Sequence, residues 1–290
     1  AYGSAYLKVH RAAEFYACLL NNQPMGFYAP ATIVKDAHRH GIRMRPVCAA
    51  TSEWRCVVES DEVVRLGFCV VNGLREEHAE EIVRQRPCTS LEDLKGRTRL
   101  TKEELRTLAE LGAFNCFAEH RRAALWEMEE PLAPELFREA TARIAEATNP
   151  LPAMTLGERV QADYAGMSLT TGPHPMKLLR AQLPHAWRAS ELVQARPGAT
   201  VQIAGNVICR QRPGTAKGFV FISLEDETGV SNAIVTPDLF ERIRLVITEE
   251  PFLVIEGEVQ NNDNVVLIKA RTIQPLAHER LAGSESHDFH

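Results

Sequence analysis

Several signatures of common protein classes are missing from this chain of 290 residues. Its 7 cysteines are odd in number and scattered, and none form a C-x-x-C pair, so neither a zinc ribbon nor a disulfide framework is indicated. No apolar run approaches the about 20 residues that span a bilayer, and no signal peptide opens the sequence. The net charge is −5, so any nucleic-acid binding must come from local basic patches. These absences predict a cytoplasmic protein without a membrane partner.

Motifs for catalysis and metal binding are also missing. The sequence contains no Walker loop, no G-x-S-x-G, no spaced carboxylate pair and no Cys/His set with metal-ligand spacing. Glu225, Asp226 and Glu227 are consecutive, so their side chains point to opposite faces of a strand and share no site. His278, His287 and His290 are poorly spaced for a metal. We therefore expect no catalytic residue, no metal and no cofactor in this chain.

The first half of the sequence predicts helices that alternate with glycine turns. Residues 4–22 and 31–40 have helical patterns, and three short strands are predicted between residues 42 and 70. Further helices are predicted at 75–85, 90–94, 101–111 and 119–129, with Thr101 and Glu104 as a capping box. The chain starts without Met inside a helical pattern, which predicts a piece of a longer protein.

The turn at Asn72–Gly73 resembles half of a helix-hairpin-helix motif. In that motif, glycine lets backbone N–H groups approach a phosphate at a helix N-terminus, and Gly73, Leu74 and Arg75 would form this contact. A second unit follows and ends in Leu111–Phe114. Between them, residues 95–102 carry Lys95, Arg97, Arg99 and Lys102 with no acid, although residues 64–128 hold 11 basic and 11 acidic residues. This cluster is a candidate contact for the duplex backbone, and a solvated loop is the alternative.

From residue 198 the pattern changes to the period of two that strands produce. Strands are predicted at 200–209, 218–225, 230–236, 252–260 and 264–274, with a helix at 237–245 after the third strand. Five strands with a helix in that place are typical of an OB-fold, which is a small β-barrel. Gly205 and Gly257 lie in mid-strand, where barrels bend. The fold class is therefore α+β and multidomain, with a helix-hairpin-helix domain before a five-stranded OB-fold barrel.

One segment of the barrel carries the features of a groove for single-stranded nucleic acid. Arg210, Arg212 and Lys217 lie in an acid-free loop before a strand that holds Phe219 and Phe221. If Val220, Ile222 and Leu224 point into the barrel, both phenylalanines face outward. The cations would then hold phosphates while the rings stack on bases. Burial of the two rings in the core is the alternative.

Together these features resemble the C-terminal third of bacterial family C DNA polymerases, of the DNA polymerase III alpha-subunit type, and most closely their error-prone branch. The blocks that carry the resemblance span nearly the whole chain: AYLKVHRAAEFYACLLNNQPMGFYAP, Gly73–Leu74, Leu111–Phe114, LPAMTLGERVQADY, Pro173–Pro175 and GTAKGFVFISLEDETG.

The resemblance implies a domain order. Residues 1–50 would be the tail of the polymerase fingers, 51–129 a tandem helix-hairpin-helix domain on duplex DNA, and 130–197 a proline-rich connection with a helix at 134–147. Residues 198–275 would be an OB-fold domain on single-stranded template, and 276–290 a disordered tail.

The resemblance also implies a function. Nothing here matches the catalytic palm, so we expect this chain to be inactive alone and Mg²⁺ to serve the full-length enzyme. The family's error-prone branch implies synthesis past lesions, with a sliding clamp and accessory mutagenesis proteins as partners. The alternative is an OB-fold module that binds a protein and never touches DNA. A tRNA-binding OB-fold module of a synthetase is a weaker option.

Overall fold

The chain folds as two compact units, described here by a computed structural model. Residues 1–25 and 33–171 form the first unit, and residues 26–32 and 172–290 form the second. The structure describes residues 2–25, 29–129, 151–262, 265–277 and 287–289. The predicted helix at 134–147, the end of the predicted turn at 261–264, and His278 and His290 lie outside the described residues. Within the described part, no helix is both long and apolar enough to cross a bilayer.

The first unit begins with three helices and a small sheet. The helices are α1 (Tyr2–His10), α2 (Ala12–Asn21) and α3 (Pro30–Arg39), so the single helix predicted at 4–22 is interrupted at Arg11. Strands β1 (Arg43–Arg45), β2 (Val57–Ser60) and β3 (Val63–Arg65) form a sheet in the order β1-β3-β2. The third predicted strand is short because residues Phe68–Val70 turn into a 3-10 helix.

Four helices of the hairpin region follow, close to their predicted positions. They are α4 (Glu76–Arg84), α5 (Leu91–Arg97), α6 (Lys102–Glu110) and α7 (Arg121–Glu129). The predicted capping box is confirmed, because Thr101 Oγ1 accepts the Glu104 N–H while the Glu104 carboxylate accepts the Thr101 N–H. Gly73 and Gly112 adopt φ of +76° and +79°, the left-handed region that favours glycine.

A further helix, α8 (Leu156–Met167), supports both hairpin turns and was not predicted. Its own capping box joins Thr155 to Glu158. The Gly166 carbonyl accepts the Asn72 N–H at 2.8 Å, which fixes the first turn. A side chain at Gly166 would meet Leu111 Cδ2 at 2.7 Å, so the helix packs closely on the second turn. Glycine in this helix thus allows the close packing.

The second unit contains a closed five-stranded barrel, as predicted. Its strands are β5 (Thr200–Gln211), β6 (Val220–Glu225), β7 (Val230–Val235), β8 (Phe252–Asn262) and β9 (Val265–Pro275). They pair in the order β5-β6-β7-β9-β8, and β8 closes the barrel on β5. The predicted helix after the third strand is two short helices, α10 (Pro237–Arg242) and α11 (Arg244–Glu249); α9 (Pro175–Leu179) precedes the barrel.

Residues 172–197, assigned from the sequence to a connecting region, belong to the same unit as the barrel. Strand β4 (Ala186–Trp187) pairs with β5. Arg180 donates to both carboxylate oxygens of Glu227, each at 2.8 Å. The acidic turn after β6 therefore anchors this segment on the barrel. At the other end, residues of the predicted disordered tail form a strand, β10 (His287–Phe289), beside β5.

Gly257 lets β8 pack closely against β9. The register shifts between Glu256 and Gly257, and a Cβ atom at Gly257 would lie 2.3 Å from the carbonyl oxygen of Lys269. Because that obstacle is backbone, a side chain there forces the two strands apart.

We expect Gly257→Ala to lower the free energy of unfolding by about 2–3 kcal/mol, through overpacking of this strand pair. Gly214→Ala is the matched control, since no atom lies within 4 Å of its added Cβ and its φ is not in the left-handed region. The control should change stability by less than about 0.5 kcal/mol. Urea unfolding measures both, and equal stabilities of the two variants would contradict the packing argument.

Candidate nucleic-acid interfaces

The alternation of β6 puts its aliphatic residues in the core and leaves Phe221 on the outer face. Val220, Ile222 and Leu224 are 3%, 1% and 0% exposed and belong to the barrel core. Phe221 is partly exposed on the outer face, and Phe219, also partly exposed, lies just before the strand. The Phe219 N–H donates to the Ala216 carbonyl at 3.0 Å, which ties the Phe219 backbone to the preceding loop. The outward phase expected from the sequence is therefore present for Phe221, whereas Phe219 precedes the strand and is placed only as partly exposed.

Phe221 belongs to a row of outward residues that crosses four strands. Gln211 on β5, Phe221 on β6, Ile234 on β7 and Lys269 on β9 are paired in register from one strand to the next. Gln211 and Lys269 are exposed, whereas Phe221 and Ile234 are partly exposed. We call this set the Phe221 row. It joins a flat ring to an exposed cation that the sequence analysis did not select, because Lys269 reaches the row only through the β7–β9 pairing.

The loop between β5 and β6 carries two of the predicted cations. Arg212 lies over the Phe240 ring, with its Cζ 4.7 Å from the ring centroid. Its Nη2 lies 3.7 Å from Glu241 Oε1. Lys217 is exposed, with a left-handed φ of 52°, and its side chain has no ionic partner among the described residues. Both side chains remain accessible to a phosphate, and the ring under Arg212 holds its guanidinium in place.

Arg210 has a different environment from the one the sequence suggested. A bulge between Val207 and Cys209 shifts the alternation of β5, so Arg210 lies opposite the inward residue Ile222. Its guanidinium donates to the carbonyl oxygens of Ile247 at 2.6 Å and Glu250 at 2.7 Å. These carbonyls belong to the C-terminal end of α11, where a cation is stabilising. We therefore leave Arg210 out of the proposed phosphate contacts.

In the first unit, a surface cleft lies between the two hairpins. Asn72, Gly73 and Arg75 from the first turn line one side, and Thr101, Lys102 and Glu103 from the start of α6 line the other. Leu74 is buried beneath the turn, whereas the Arg75 side chain is exposed. The N-termini of α4 and α6 thus border one cleft. Helix N-termini attract anions through their free N–H groups and their dipoles.

Glu104 holds the two sides of this cleft together. Its carboxylate accepts hydrogen bonds from the N–H groups of Thr101 at 2.8 Å and Arg75 at 3.2 Å, and it contacts His78 Nδ1 at 2.8 Å. Burial raises the pKa of Glu104, but the hydrogen bonds from Thr101 and His78 outweigh it, and the pKa lies below its usual range. The residue is 5% exposed, so it remains an internal carboxylate that positions both turns.

The four cations between the hairpins fall into two classes. Lys95 donates to the carbonyl oxygens of Glu127 and Met128, and Arg97 donates to that of Pro87 at 3.0 Å. Arg97 also pairs with Asp93 at 3.2 Å. These two side chains hold the helices together within the unit.

Arg99 and Lys102 extend into solvent, with side chains 77% and 73% exposed. Each has one surface ion pair, Arg99 with Glu81 at 3.2 Å and Lys102 with Glu129 at 2.5 Å. The Lys102 pair is exposed on both sides, and such pairs contribute about 0–1 kcal/mol and can be exchanged for a phosphate at little cost. Glu81 is 13% exposed and also accepts the Arg99 N–H at 2.8 Å, so it holds the Arg99 backbone while the Arg99 side chain extends into solvent. Together with Arg75, these side chains are the exposed cations next to the cleft.

No metal centre is found among the described residues, since no three His, Cys, Asp or Glu side chains converge there. The acidic turn is held by internal hydrogen bonds. Asp226 accepts the N–H groups of Thr228 and Gly229, and Glu227 pairs with Arg180. Glu225 is 1% exposed and lies 3.7 Å from His174 Nε2. Arg180 also pairs with Asp226 at 3.3 Å, so two of the consecutive acids share one arginine, contrary to the expectation that they share no site.

Comparison with known protein families agrees with the two units. Residues 41–124 match a family model described as a helix-hairpin-helix motif, and residues 195–276 match one described as an OB-fold nucleic acid binding domain. Solved structures overlap only in part. Asparaginyl-tRNA synthetase from Pyrococcus horikoshii covers 31% of this chain and 22% of its own, at 18% identity and a TM-score of 0.28.

Curated relatives match the chain along its whole length. Error-prone DNA polymerases from Anaeromyxobacter sp. and Pseudomonas aeruginosa are each 40% identical over 100% of this chain. Error-prone DNA polymerase 2 from Agrobacterium fabrum is 43% identical over 96%. The chain spans 27%, 29% and 27% of the length of these three proteins. The chain thus combines a helix-hairpin-helix unit with an OB-fold unit, and it is similar throughout to the C-terminal part of bacterial error-prone DNA polymerases.

Proposed function

We propose that this chain is the DNA-binding part of an error-prone DNA polymerase of the DNA polymerase III alpha-subunit type. The full-length protein would copy damaged template in the bacterial cytoplasm, with Mg²⁺ at a catalytic centre that we assign to no residue of this chain. The hairpin unit binds duplex DNA and the barrel binds single-stranded template. A sliding clamp and accessory mutagenesis proteins remain partners that the family resemblance predicts.

The observation that carries the proposal is the Phe221 row beside the loop at 212–217. A single strand is bound by flat rings that stack on its bases and by cations that follow its phosphates. The row provides one partly exposed ring with Lys269 on its far strand, and the adjoining loop provides Arg212, Lys217 and the ring of Phe219. Such a surface recognises single strands without reading their sequence, because every base has a flat face.

The duplex assignment is supported by the cleft between the hairpins. Two helix N-termini and three exposed cations, Arg75, Arg99 and Lys102, lie at or next to it. Backbone N–H groups and mobile cations bind phosphate oxygens and carry no sequence information. We therefore expect duplex binding to be strong at low salt and indifferent to base sequence.

Binding of a protein to the barrel is the second candidate. Ile234 lies next to Phe221, and Leu267 is also partly exposed on the outer face of β9. Apolar side chains at a surface are typical of contacts with another polypeptide. The two candidate functions predict different effects of salt on affinity. DNA binding weakens as salt rises, whereas an apolar protein contact releases no condensed counterions and does not weaken.

A titration of the purified chain with labelled oligonucleotides at two salt concentrations tests the proposal. Three phosphate contacts, from Arg212, Lys217 and Lys269, give a slope of about −2 in log affinity against log salt for a single strand. Raising NaCl from about 50 to about 200 mM should therefore weaken binding about fifteenfold. Weak binding of single-stranded DNA that does not change with salt would favour the protein-binding reading.

A further inference from the structure

A second row of outward residues lies next to the Phe221 row on the barrel. Ser223 on β6, Asn232 on β7 and Leu267 on β9 are paired in register across the three strands. All three residues are partly exposed. We call this set the Asn232 row. Residues two apart on a strand lie about 7 Å apart, so one nucleic-acid base can touch both rows.

The side-chain amide of Asn232 is oriented by a hydrogen bond. The Ser223 hydroxyl donates to Asn232 Oδ1 at 2.7 Å. Because the amide group is planar, its nitrogen lies on the side away from the bonded oxygen. The two N–H groups on that nitrogen have no hydrogen-bond partner among the residues that the structure describes. Asn232 therefore presents donors to the surface of the barrel, while its oxygen is already bonded.

The surroundings of these donors are apolar. Ile234 is the next outward residue along β7, and Leu267 is the neighbour of Asn232 on β9. Phe221 lies opposite Ile234 on β6, so Asn232 is its diagonal neighbour. Diagonal neighbours on antiparallel strands are about 7–8 Å apart, which is within reach of a base that stacks on the Phe221 ring. The surface beside the ring therefore combines N–H donors with aliphatic side chains.

We propose that the Asn232 row gives the barrel a preference for thymine, an inference that rests on the proposed binding of single-stranded DNA. One edge of thymine carries the O4 acceptor next to the C5 methyl group. The O4 atom accepts a hydrogen bond from Asn232 Nδ2, and the methyl group packs against Ile234 and Leu267. The Phe221 ring stacks on any base, and the second row adds the preference.

The other bases fit this surface less well. Cytosine has its N4 amino group where thymine has O4, so a donor meets the donors of Asn232. Cytosine also lacks the methyl group. Adenine and guanine offer acceptors on the corresponding edge but have no methyl group to place against the aliphatic side chains.

Binding of the whole chain to labelled single strands of thymidine, deoxyuridine and deoxycytidine tests the inference. All three are pyrimidine strands, so the comparison isolates the edge of the base. We expect the thymidine strand to bind at least about fivefold more tightly than the deoxycytidine strand, because a matched base edge discriminates by at least that factor. The deoxyuridine strand lacks only the methyl groups and should bind about threefold more weakly than the thymidine strand.

Asn232→Asp should reverse the preference, because it replaces the N–H donors by an oxygen acceptor. Aspartate accepts a hydrogen bond from cytosine N4, so this variant should bind the deoxycytidine strand more tightly than the thymidine strand. Gln274→Glu is the matched control, since it makes the same change of charge at an exposed amide near the far end of β9. The control should keep the preference of the wild type. Thermal melting of both variants shows that they are folded.

The possible results separate this inference from the proposed function. Equal affinities of the wild type for the thymidine and deoxycytidine strands would overturn the preference and leave single-strand binding intact. A preference that a folded Asn232→Asp variant retains would overturn the role of the Asn232 row. Failure of the wild type to bind any of the three strands at low salt would overturn the proposed function and the inference with it.

Discussion

Replacing Phe219 and Phe221 together by alanine is expected to lower the affinity for single-stranded DNA by at least about tenfold. Each stacked base contributes about 1–3 kcal/mol when tested by alanine substitution, and two rings are removed. Duplex binding should change little, because the cleft between the hairpins is untouched. Fluorescence anisotropy with a labelled oligothymidine and a labelled duplex measures both affinities.

Controls for this variant separate stacking from folding. The double variant should stay folded, since both rings are only partly buried while Val220, Ile222 and Leu224 provide the core of the strand. Leu245→Ala removes an apolar side chain that is 69% exposed on α11 and should bind DNA normally. If the double variant unfolds, the rings belong to the core. If it stays folded and binds a single strand as the wild type does, the barrel face serves another partner.

The second large effect is expected at the cleft between the hairpins. Changing Arg75, Arg99 and Lys102 to alanine should flatten the salt dependence of duplex binding by nearly three units of slope, at about 0.9 per lost phosphate contact. The loss should be equal for duplexes of different sequence, because these cations meet only the backbone. Titrations of two unrelated duplexes over a range of salt measure the slope and the sequence preference.

A matched variant removes the same charge from elsewhere in the unit. Arg43, Arg55 and Arg84 are exposed and do not line the cleft, and their change to alanine alters the net charge equally. We expect this variant to keep a slope close to that of the wild type. If both triple variants lose the same slope, binding depends on overall charge, and the cleft has no special role.

Much of the architecture follows from local patterns. The capping box of Thr101 and Glu104 sets the start of α6, and the alternation of Val220, Ile222 and Leu224 sets the phase of β6. Both signals act between residues that are close in sequence. They therefore predict the same helix start and the same strand phase in any fold that buries the apolar side chains of the element. The order of five strands around one helical segment was enough to predict the closed barrel.

The details of the site depend on interactions that no short pattern encodes. One extra residue in β5 places Arg210 opposite the inward Ile222. Without that bulge the same sequence would put Arg210 on the outer face, and no short pattern reveals the bulge. Lys95 and Arg97 are held by backbone carbonyls of distant or preceding residues, so their charge alone did not distinguish them from Arg99. Helix α8 did have a local signal, the Thr155–Glu158 capping box, but it lies in a proline-rich stretch that favoured a connection.

Photo-crosslinking tests the central claim most directly, because it identifies the residues that touch the bases. Single-stranded DNA that carries iodouracil is irradiated with the purified chain, and the adducts are mapped after digestion with trypsin. Cleavage after Lys217 and Arg242 releases one peptide, residues 218–242, which contains both phenylalanines. The account predicts adducts on this peptide at Phe219 or Phe221, and their loss when high salt displaces the DNA. Adducts confined to other peptides, with none on residues 218–242, would contradict it.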